Sequence, residues 1–206
     1  MNITDVYDKY NVLPVVRTHQ FRVSAVAQFI GAAEITEIVS ALLIHDIAKI
    51  VEPTFQLQEE ELAWTDTQNK MRAKYGTDAM HATYAIAREL GLSDRVLELI
   101  GATGFANSVS VYESRDLGKM ICLYADQRVS PKGIVTIEQR IHDGQERFRR
   151  KPQAYAETQT EFEAKLQALR DIEVYIFSKE TLRSEQISDD AIKHYVTNLQ
   201  TYEISR

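Results

Sequence analysis

Four side chains of the metal-ligand type stand within stretches of the sequence that are otherwise apolar. The two in the middle interrupt the apolar run of residues 41–51, and the last one ends the apolar run of residues 117–125. A buried carboxylate without a partner is costly, so salt bridges or a bound cation must compensate it. Imidazole and carboxylate groups together suit a divalent metal ion. The four candidate ligands are His19, His45, Asp46 and Asp126.

Apolar periodicity predicts that these four residues lie on three helices. The first ligand falls on or beside the apolar stripe of a helix predicted over residues 14–31. The His-Asp pair falls within a second helix, over about residues 34–51, that is apolar almost all round before Pro53. The last ligand follows a third helix, over residues 117–125. The four candidate ligands are thus predicted to lie on or next to mostly buried helices.

Other stretches have weaker or more ordinary signals. Residues 57–75 are predicted to be a surface helix or a partly ordered excursion, and residues 104–114 to be irregular. Capping residues and apolar periodicity predict the remaining helices. These span residues 78–90 with Thr77 as the N-cap, about 94–103 with Ser93 as the N-cap, 136–150, 154–179 and 188–203.

Length and composition favour a single helical domain. The chain has 206 residues, enough for one sizeable core, and neither a linker nor a repeat divides it. Its 8 Gly and 4 Pro are too few for the many tight turns of a β-sandwich or barrel. We therefore expect one all-α domain over residues 1–206.

Charge and cysteine content restrict the partners and the compartment. A formal charge of −6 argues against binding extended nucleic acid. The single cysteine, Cys122, cannot form an internal disulfide. The sequence begins without a basic, then apolar, secretory segment, and no apolar run approaches the length of a membrane span. We expect a cytoplasmic protein without a membrane partner.

With their neighbours, the four candidate ligands resemble the signature of the HD-domain metal-dependent phosphohydrolases. That signature is a His, then a His-Asp pair, then a distant Asp. The middle segment, Leu43-Ile44-His45-Asp46-Ile47-Ala48-Lys49, is close to the family's form of His-Asp, hydrophobic, small and Lys. The flanking segments are Arg17-Thr18-His19 and Tyr124-Ala125-Asp126-Gln127-Arg128-Val129-Ser130-Pro131.

The resemblance covers only part of the chain. It spans about residues 12–133, so residues 134–206 would form a C-terminal helical extension. A second His-Asp dipeptide, His142-Asp143, lies in a polar stretch and is predicted to be on the surface.

The resemblance implies an HD-domain-like helical bundle in which the four side chains hold one divalent metal ion. The ion would be Mn, Fe, Co, Ni, Zn or Mg, since a His/Asp set accepts all of them. The implied activity is hydrolysis of a small phosphorylated substrate, for example a nucleotide, by metal-activated water. Asp46 would then be both a ligand and a catalytic residue.

Further residues acquire expected roles from their places near these ligands. Lys49 would neutralise the phosphate or hold the Asp46 carboxylate. Alternatively, it would only interact favourably with the helix dipole at the C-terminal end of its helix. His81, which opens a predicted helix, would act as a proton donor or phosphate contact, or else face solvent. Arg17 and Arg128 would bind the substrate phosphate, although arginines are usually solvated.

Two other functions and one assembly stay open from the sequence. A catalytically silent module of the same fold would bind a nucleotide or a protein partner. A di-iron oxygenase would need another histidine, where this chain offers only Thr103. The helix predicted over residues 154–179 would either complete the core or form the seam of a homodimer.

Overall fold

The computed structural model describes residues 1–150, 158–178 and 182–204. This part of the chain is mainly α-helical, which confirms the all-α prediction. Its α-helices are α1 (Ile3–Lys9), α2 (Pro14–Ile30), α3 (Ile35–Leu42), α4 (Thr65–Tyr75), α5 (Ala79–Glu89), α6 (Asp94–Ala102), α7 (Ser108–Ser114), α8 (Leu117–Gln127), α9 (Ile137–Arg150), α10 (Gln159–Phe177) and α11 (Asp189–Leu199).

A short β-hairpin and several 3₁₀ segments connect some of these helices. An antiparallel hairpin of β1 (Val129–Ser130) and β2 (Gly133–Ile134) follows α8 directly. Single 3₁₀ segments cover Lys49–Val51, Glu59–Trp64, Phe105–Asn107 and Ser184–Gln186. Among the helices in the described ranges, none has both the length and the apolar character needed to cross a membrane.

Helices α2, α3 and α8 form the centre of the molecule. Helix α2 packs against α3, α8 and α11, and α3 also packs against α6 and α8. Their facing side chains are buried aliphatic residues, which drive this packing by removing apolar surface from water. The central helices carry the first and last candidate ligands, so the same packing that builds the core brings these two residues together.

The predicted helix over residues 34–51 is wrong in its second half. Helix α3 ends at Leu42, and turns with i to i+3 hydrogen bonds carry the chain from there to the 3₁₀ segment Lys49–Val51. The Nδ1 atom of His45 lies 2.7 Å from the Leu42 carbonyl oxygen, the acceptor that a continuing helix would offer to the backbone N–H of Asp46.

Two side chains that are distant in sequence bind further backbone groups of this segment. The N–H of Asp46 instead donates to Oε1 of Gln20 on α2 at 3.1 Å. The hydroxyl of Tyr7 on α1 donates to the Leu43 carbonyl oxygen at 2.8 Å, so that acceptor is also withdrawn from a helix. The helix therefore ends at Leu42 because the carbonyl oxygens of Leu42 and Leu43 and the N–H of Asp46 pair with side chains. All three backbone groups lie beside the predicted ligand pair.

The C-terminal extension packs on the rest of the chain. Helix α10 lies against α7, α8 and α9, and α11 lies against α2. The buried Arg128 side chain joins the two parts, since it donates to the carbonyl oxygens of Ser184 and Ile187 at 3.2 Å each. Residues 134–206 thus supply packing surface to the same core, as far as the structure describes them.

Several boundaries differ from the predicted ones. Asp78, not Thr77, caps α5, because its carboxylate accepts the N–H of His81. Helix α7 lies in the stretch predicted to be irregular, and α1 was not predicted. For the helix predicted over residues 154–179, residues 154–157 and 179 lie outside the described residues, and the rest contains α10.

Candidate metal centre

The four candidate ligands meet at one point of the structure. His19 Nε2 lies 3.2 Å from Asp126 Oδ1, and His45 Nε2 lies 3.6 Å from the same oxygen. Asp46 Oδ2 lies 3.9 Å from His19 Nε2 and 3.7 Å from His45 Nε2. One ligand atom each from His19, His45 and Asp126 lies within 4.8 Å of the others, close enough to share an ion.

Three separate elements position these side chains. His19 lies in the middle of α2, and Asp126 lies in the last turn of α8, which packs directly against α2. His45 and Asp46 lie in the turns after α3, where the chain leaves the helical path. The turns allow two consecutive side chains to face the same point, whereas successive residues of an α-helix diverge by about 100°.

The imidazole of His45 has the form of a prepared ligand. A carbonyl oxygen only accepts hydrogen bonds, so the short contact with Leu42 assigns a proton to Nδ1. The other ring nitrogen, Nε2, is buried and makes no hydrogen bond within the described residues, the carboxylate oxygens of Asp126 and Asp46 lying 3.6 and 3.7 Å away. A buried polar atom without a partner needs an explanation, and a metal ion at the centre of the four residues supplies one.

Charge at the centre shifts the pKa of two buried groups. Burial lowers the pKa of His45, but the negative charges of Asp46 and Asp126 outweigh burial and raise that pKa to about 9. Burial raises the pKa of Asp126, but the two imidazoles outweigh burial and hold that pKa well below its usual range. A proton and a metal ion therefore compete for Nε2 of His45.

Two glutamine side chains form hydrogen bonds with the two aspartate residues of the cluster. Gln20, which is fully buried, fixes the backbone of Asp46 through the hydrogen bond described above. The side-chain amide of Gln127 donates to Asp126 Oδ2 at 2.9 Å, which leaves Oδ1 directed at the histidines. Arg140 Nε in turn donates to Gln127 Oε1 at 3.3 Å. Such outer partners orient metal ligands.

Lys49 lies beside the cluster with its ammonium between two carboxylates. Its Nζ lies 4.0 Å from Asp46 Oδ1 and 3.0 Å from Glu52 Oε1. Burial lowers the pKa of Lys49, but these two carboxylates outweigh burial and the pKa is raised overall. The side chain stays charged and 36% exposed, so it can also contact a ligand in the adjoining cavity.

The cluster lines a cavity of about 490 Å³. Besides the four candidate ligands, the charged and polar lining includes Lys49, Glu52 and Arg140. The apolar lining comes mostly from α10 and the segment before α7. Its members are Met80, Phe105, Phe162, Leu166 and Leu169. A cavity of this size, lined by apolar side chains and a small number of polar groups, is typical of a small-molecule site.

Arg140 and Arg147 line this cavity, although neither is among the site residues predicted from the sequence. They stand seven residues apart on α9, close to two full turns, and therefore share one helix face with Gly144 between them. Neither forms an ion pair with a carboxylate in the described part of the chain. The spacing was the available signal, but it does not indicate which face of α9 meets the core.

The two arginines predicted to bind phosphate are not brought to the cluster. Arg17 donates to Asp8 Oδ1 and to the Val12 carbonyl oxygen, and Arg128 is buried in its bonds to backbone carbonyls. Arg17 stands two residues before His19 on α2, about 200° away around the helix axis. Arg128 is the C-cap residue that follows α8, and its guanidinium is held by backbone carbonyls instead of facing the ligands.

The remaining predicted residues also have definite places. His81 is exposed in the first turn of α5, while its neighbours Ala79 and Met80 line the cavity. Both residues of the second dipeptide, His142 and Asp143, are exposed, which confirms the surface prediction.

The fold and the site define an all-α protein with a His/Asp cluster that could hold a metal ion. Comparison of the chain with protein-family models, with curated proteins and with solved structures finds no significant match. The family therefore stays a proposal that depends on the residues and their geometry.

The raised pKa of His45 predicts that the metal-free protein loses stability at alkaline pH. Below the unfolded-state pKa of about 6.5 the stabilisation by charged His45 is fully present, and it is lost as the pH rises through about 9. This difference between the folded and unfolded pKa values corresponds to about 3 kcal/mol in the free energy of unfolding. Urea unfolding in the presence of a chelator, at pH 6.5 and at pH 9.5, measures that change in free energy. The variant His45→Gln should lose most of this pH dependence, and an equal dependence in both proteins would contradict the assignment.

Proposed function

We propose that the chain is an HD-type metal-dependent phosphohydrolase that cleaves a small phosphoester. The observation that carries the proposal is the convergence of His19, His45, Asp46 and Asp126 around the unpartnered, buried Nε2 of His45. These are the residues on which the sequence resembles that family, in the same order, and their meeting point opens into a ligand-sized cavity.

Each of the four residues contributes an atom type suited to holding one divalent cation, whether Mn, Fe, Co, Ni, Zn or Mg. When bound, such an ion polarises a phosphoryl oxygen and makes water more acidic. His45 and Asp126 would hold it from the buried side, since their side chains are only 3% and 15% exposed. Asp46, at 29%, is more open to the cavity.

This exposure gives Asp46 a second role. Its Oδ1 is directed toward Lys49 and its Oδ2 toward the histidines, so it stands between the buried centre and the cavity. In that position the carboxylate can accept a proton from a water that attacks phosphorus. Lys49 holds the carboxylate in place through its charge.

Cations from two elements surround the place where a phosphate would lie. Lys49 follows the ligand pair, and Arg140 and Arg147 come from α9 in the C-terminal extension. Their N–H groups would donate to phosphate oxygens and stabilise the negative charge that builds up as the bond to the leaving group breaks. The extension therefore completes the site.

The environment of Thr103 argues against the di-iron oxygenase. Thr103 lines the cavity at the place where another histidine would be needed, but its hydroxyl is buried and donates to the Ile100 carbonyl oxygen at 2.8 Å. In the described ranges, the group of His19, His45 and Asp126 is the one set of three or more such residues close enough to share an ion. One ion fits this set better than two.

Reloading with metal tests the proposed activity. The purified protein is stripped with a chelator, reloaded with each of the six divalent ions in turn, and assayed for release of p-nitrophenol from aryl phosphates. We expect turnover with at least one ion and none with the stripped protein. Bound metal without turnover on any ester would instead support a catalytically silent binding module.

A further inference from the structure

Two cavities adjoin the metal cluster. The second cavity has a volume of about 570 Å³ and shares part of its lining with the first. Five residues line both cavities, two of them candidate ligands and three of them cations. They are His19, Asp46, Lys49, Arg140 and Arg147.

Each cavity has its own apolar wall beyond this shared set. The first has the wall from α10 described above. The second is lined by apolar residues from the start of α2, from the segment after the ligand pair and from the β1–β2 hairpin. These residues are Val15, Val16, Phe55, Val129 and Pro131. Both volumes fall within the range of small-molecule sites, so each side can take an organic group.

A phosphate held at the shared residues would thus have room for one organic group in each cavity. A phosphate monoester has one organic group and would leave one apolar cavity filled only with water. A phosphodiester has two and would remove both apolar walls from water. The three shared cations lie at the junction, where the phosphate of such a diester would be.

We propose that the substrate is a phosphodiester with one organic group in each cavity, an inference that rests on the proposed function. Water attacks phosphorus, a new P–O bond forms, and the bond from phosphorus to one ester oxygen breaks. The leaving oxygen departs as an alcohol after taking up a proton, and the other group stays on a phosphate monoester. One further proton passes to solvent by way of Asp46, so atoms and charge balance without another reactant.

A pair of matched substitutions tests this proposal. Val15→Trp fills part of the second cavity and Met80→Trp part of the first, and both side chains are partly exposed and contact no candidate ligand in the contacts described. The reloaded protein is assayed with bis(p-nitrophenyl) phosphate and with p-nitrophenyl phosphate. We expect the diester to have a kcat/KM at least about tenfold above that of the monoester.

The variants should then separate the two esters. Val15→Trp and Met80→Trp should each lower the ratio of kcat/KM for the diester to kcat/KM for the monoester at least about tenfold, because a monoester can use whichever cavity stays open and a diester needs both. A preference for the monoester, or a diester rate that Val15→Trp leaves unchanged, overturns the proposal while the phosphohydrolase assignment stands.

A binding measurement covers the case in which neither ester is hydrolysed and the proposed function fails. Calorimetry compares diphenyl phosphate with phenyl phosphate on the metal-loaded protein. Tighter binding of the diester, weakened at least about tenfold by Val15→Trp, supports the two-sided site by itself. Equal binding of the two, or binding that Val15→Trp does not change, overturns it.

Discussion

Asp46→Ala is expected to abolish phosphoester turnover, with a loss of at least about a thousandfold, and to remove the bound metal. Asp46 Oδ2 lies within 4 Å of both histidine Nε2 atoms, and Asp46 is the ligand-type residue most open to the cavity. The substitution therefore removes a ligand and the proton acceptor together. Metal content and kcat/KM of the reloaded variant measure the two effects.

His142→Ala is the matched control for this variant. It disrupts the other His-Asp dipeptide of the chain, whose two residues are exposed on α9. Metal content and turnover should stay at the level of the parent protein. If Asp46→Ala keeps its metal, or if His142→Ala loses it, the ligand pair has been assigned to the wrong dipeptide.

The double variant Arg140→Met, Arg147→Met should lower kcat/KM about 10²- to 10⁴-fold in protein reloaded with excess metal, which offsets the lost support of Gln127 by Arg140. Each charged donor to phosphate contributes about 1.5–3 kcal/mol, and methionine keeps much of the apolar stem that packs in the cavity. The arginines approach the cluster from α9 and are not among its ligands. Steady-state kinetics with metal analysis on the same samples separates lost phosphate binding from lost metal.

Arg149→Met is the control for this double variant. Arg149 lies on the same helix, but its guanidinium is 71% exposed and pairs with Glu146. Its removal should change kcat/KM less than about twofold. An unchanged kcat/KM in the double variant would show that the cations of α9 do not contact the substrate.

The sequence was sufficient to single out the four residues of the cluster but not the backbone that holds two of them. His19 and Asp126 lie on α2 and α8, whose apolar patterns predicted both helices. Residues 43–48 have the same apolar pattern but turn away from the helix. The partners that end the helix, Gln20 and Tyr7, lie 26 and 36 residues away from the groups that they bind. No local pattern contains such contacts.

The cations of the site show the same limit. Arg17 and Arg128 lie near ligand-type residues in sequence, but Arg17 pairs with Asp8 and Arg128 donates to the backbone carbonyls of Ser184 and Ile187. Arg140 and Arg147 are distant in sequence from the ligands that precede them and reach the cavity because α9 and α10 pack over it. Their role depends on tertiary packing that composition does not encode.

Elemental analysis of the purified parent protein, after reloading and dialysis, tests the metal centre most directly. Because ligand atoms of His19, His45 and Asp126 lie within 4.8 Å of one another, and Asp46 Oδ2 lies within 4 Å of both histidines, we expect about one divalent transition metal ion per chain. The ion should be absent from Asp46→Ala and present in His142→Ala. A parent protein that retains no metal after reloading, or one whose metal content is the same in all three proteins, would contradict the proposed centre.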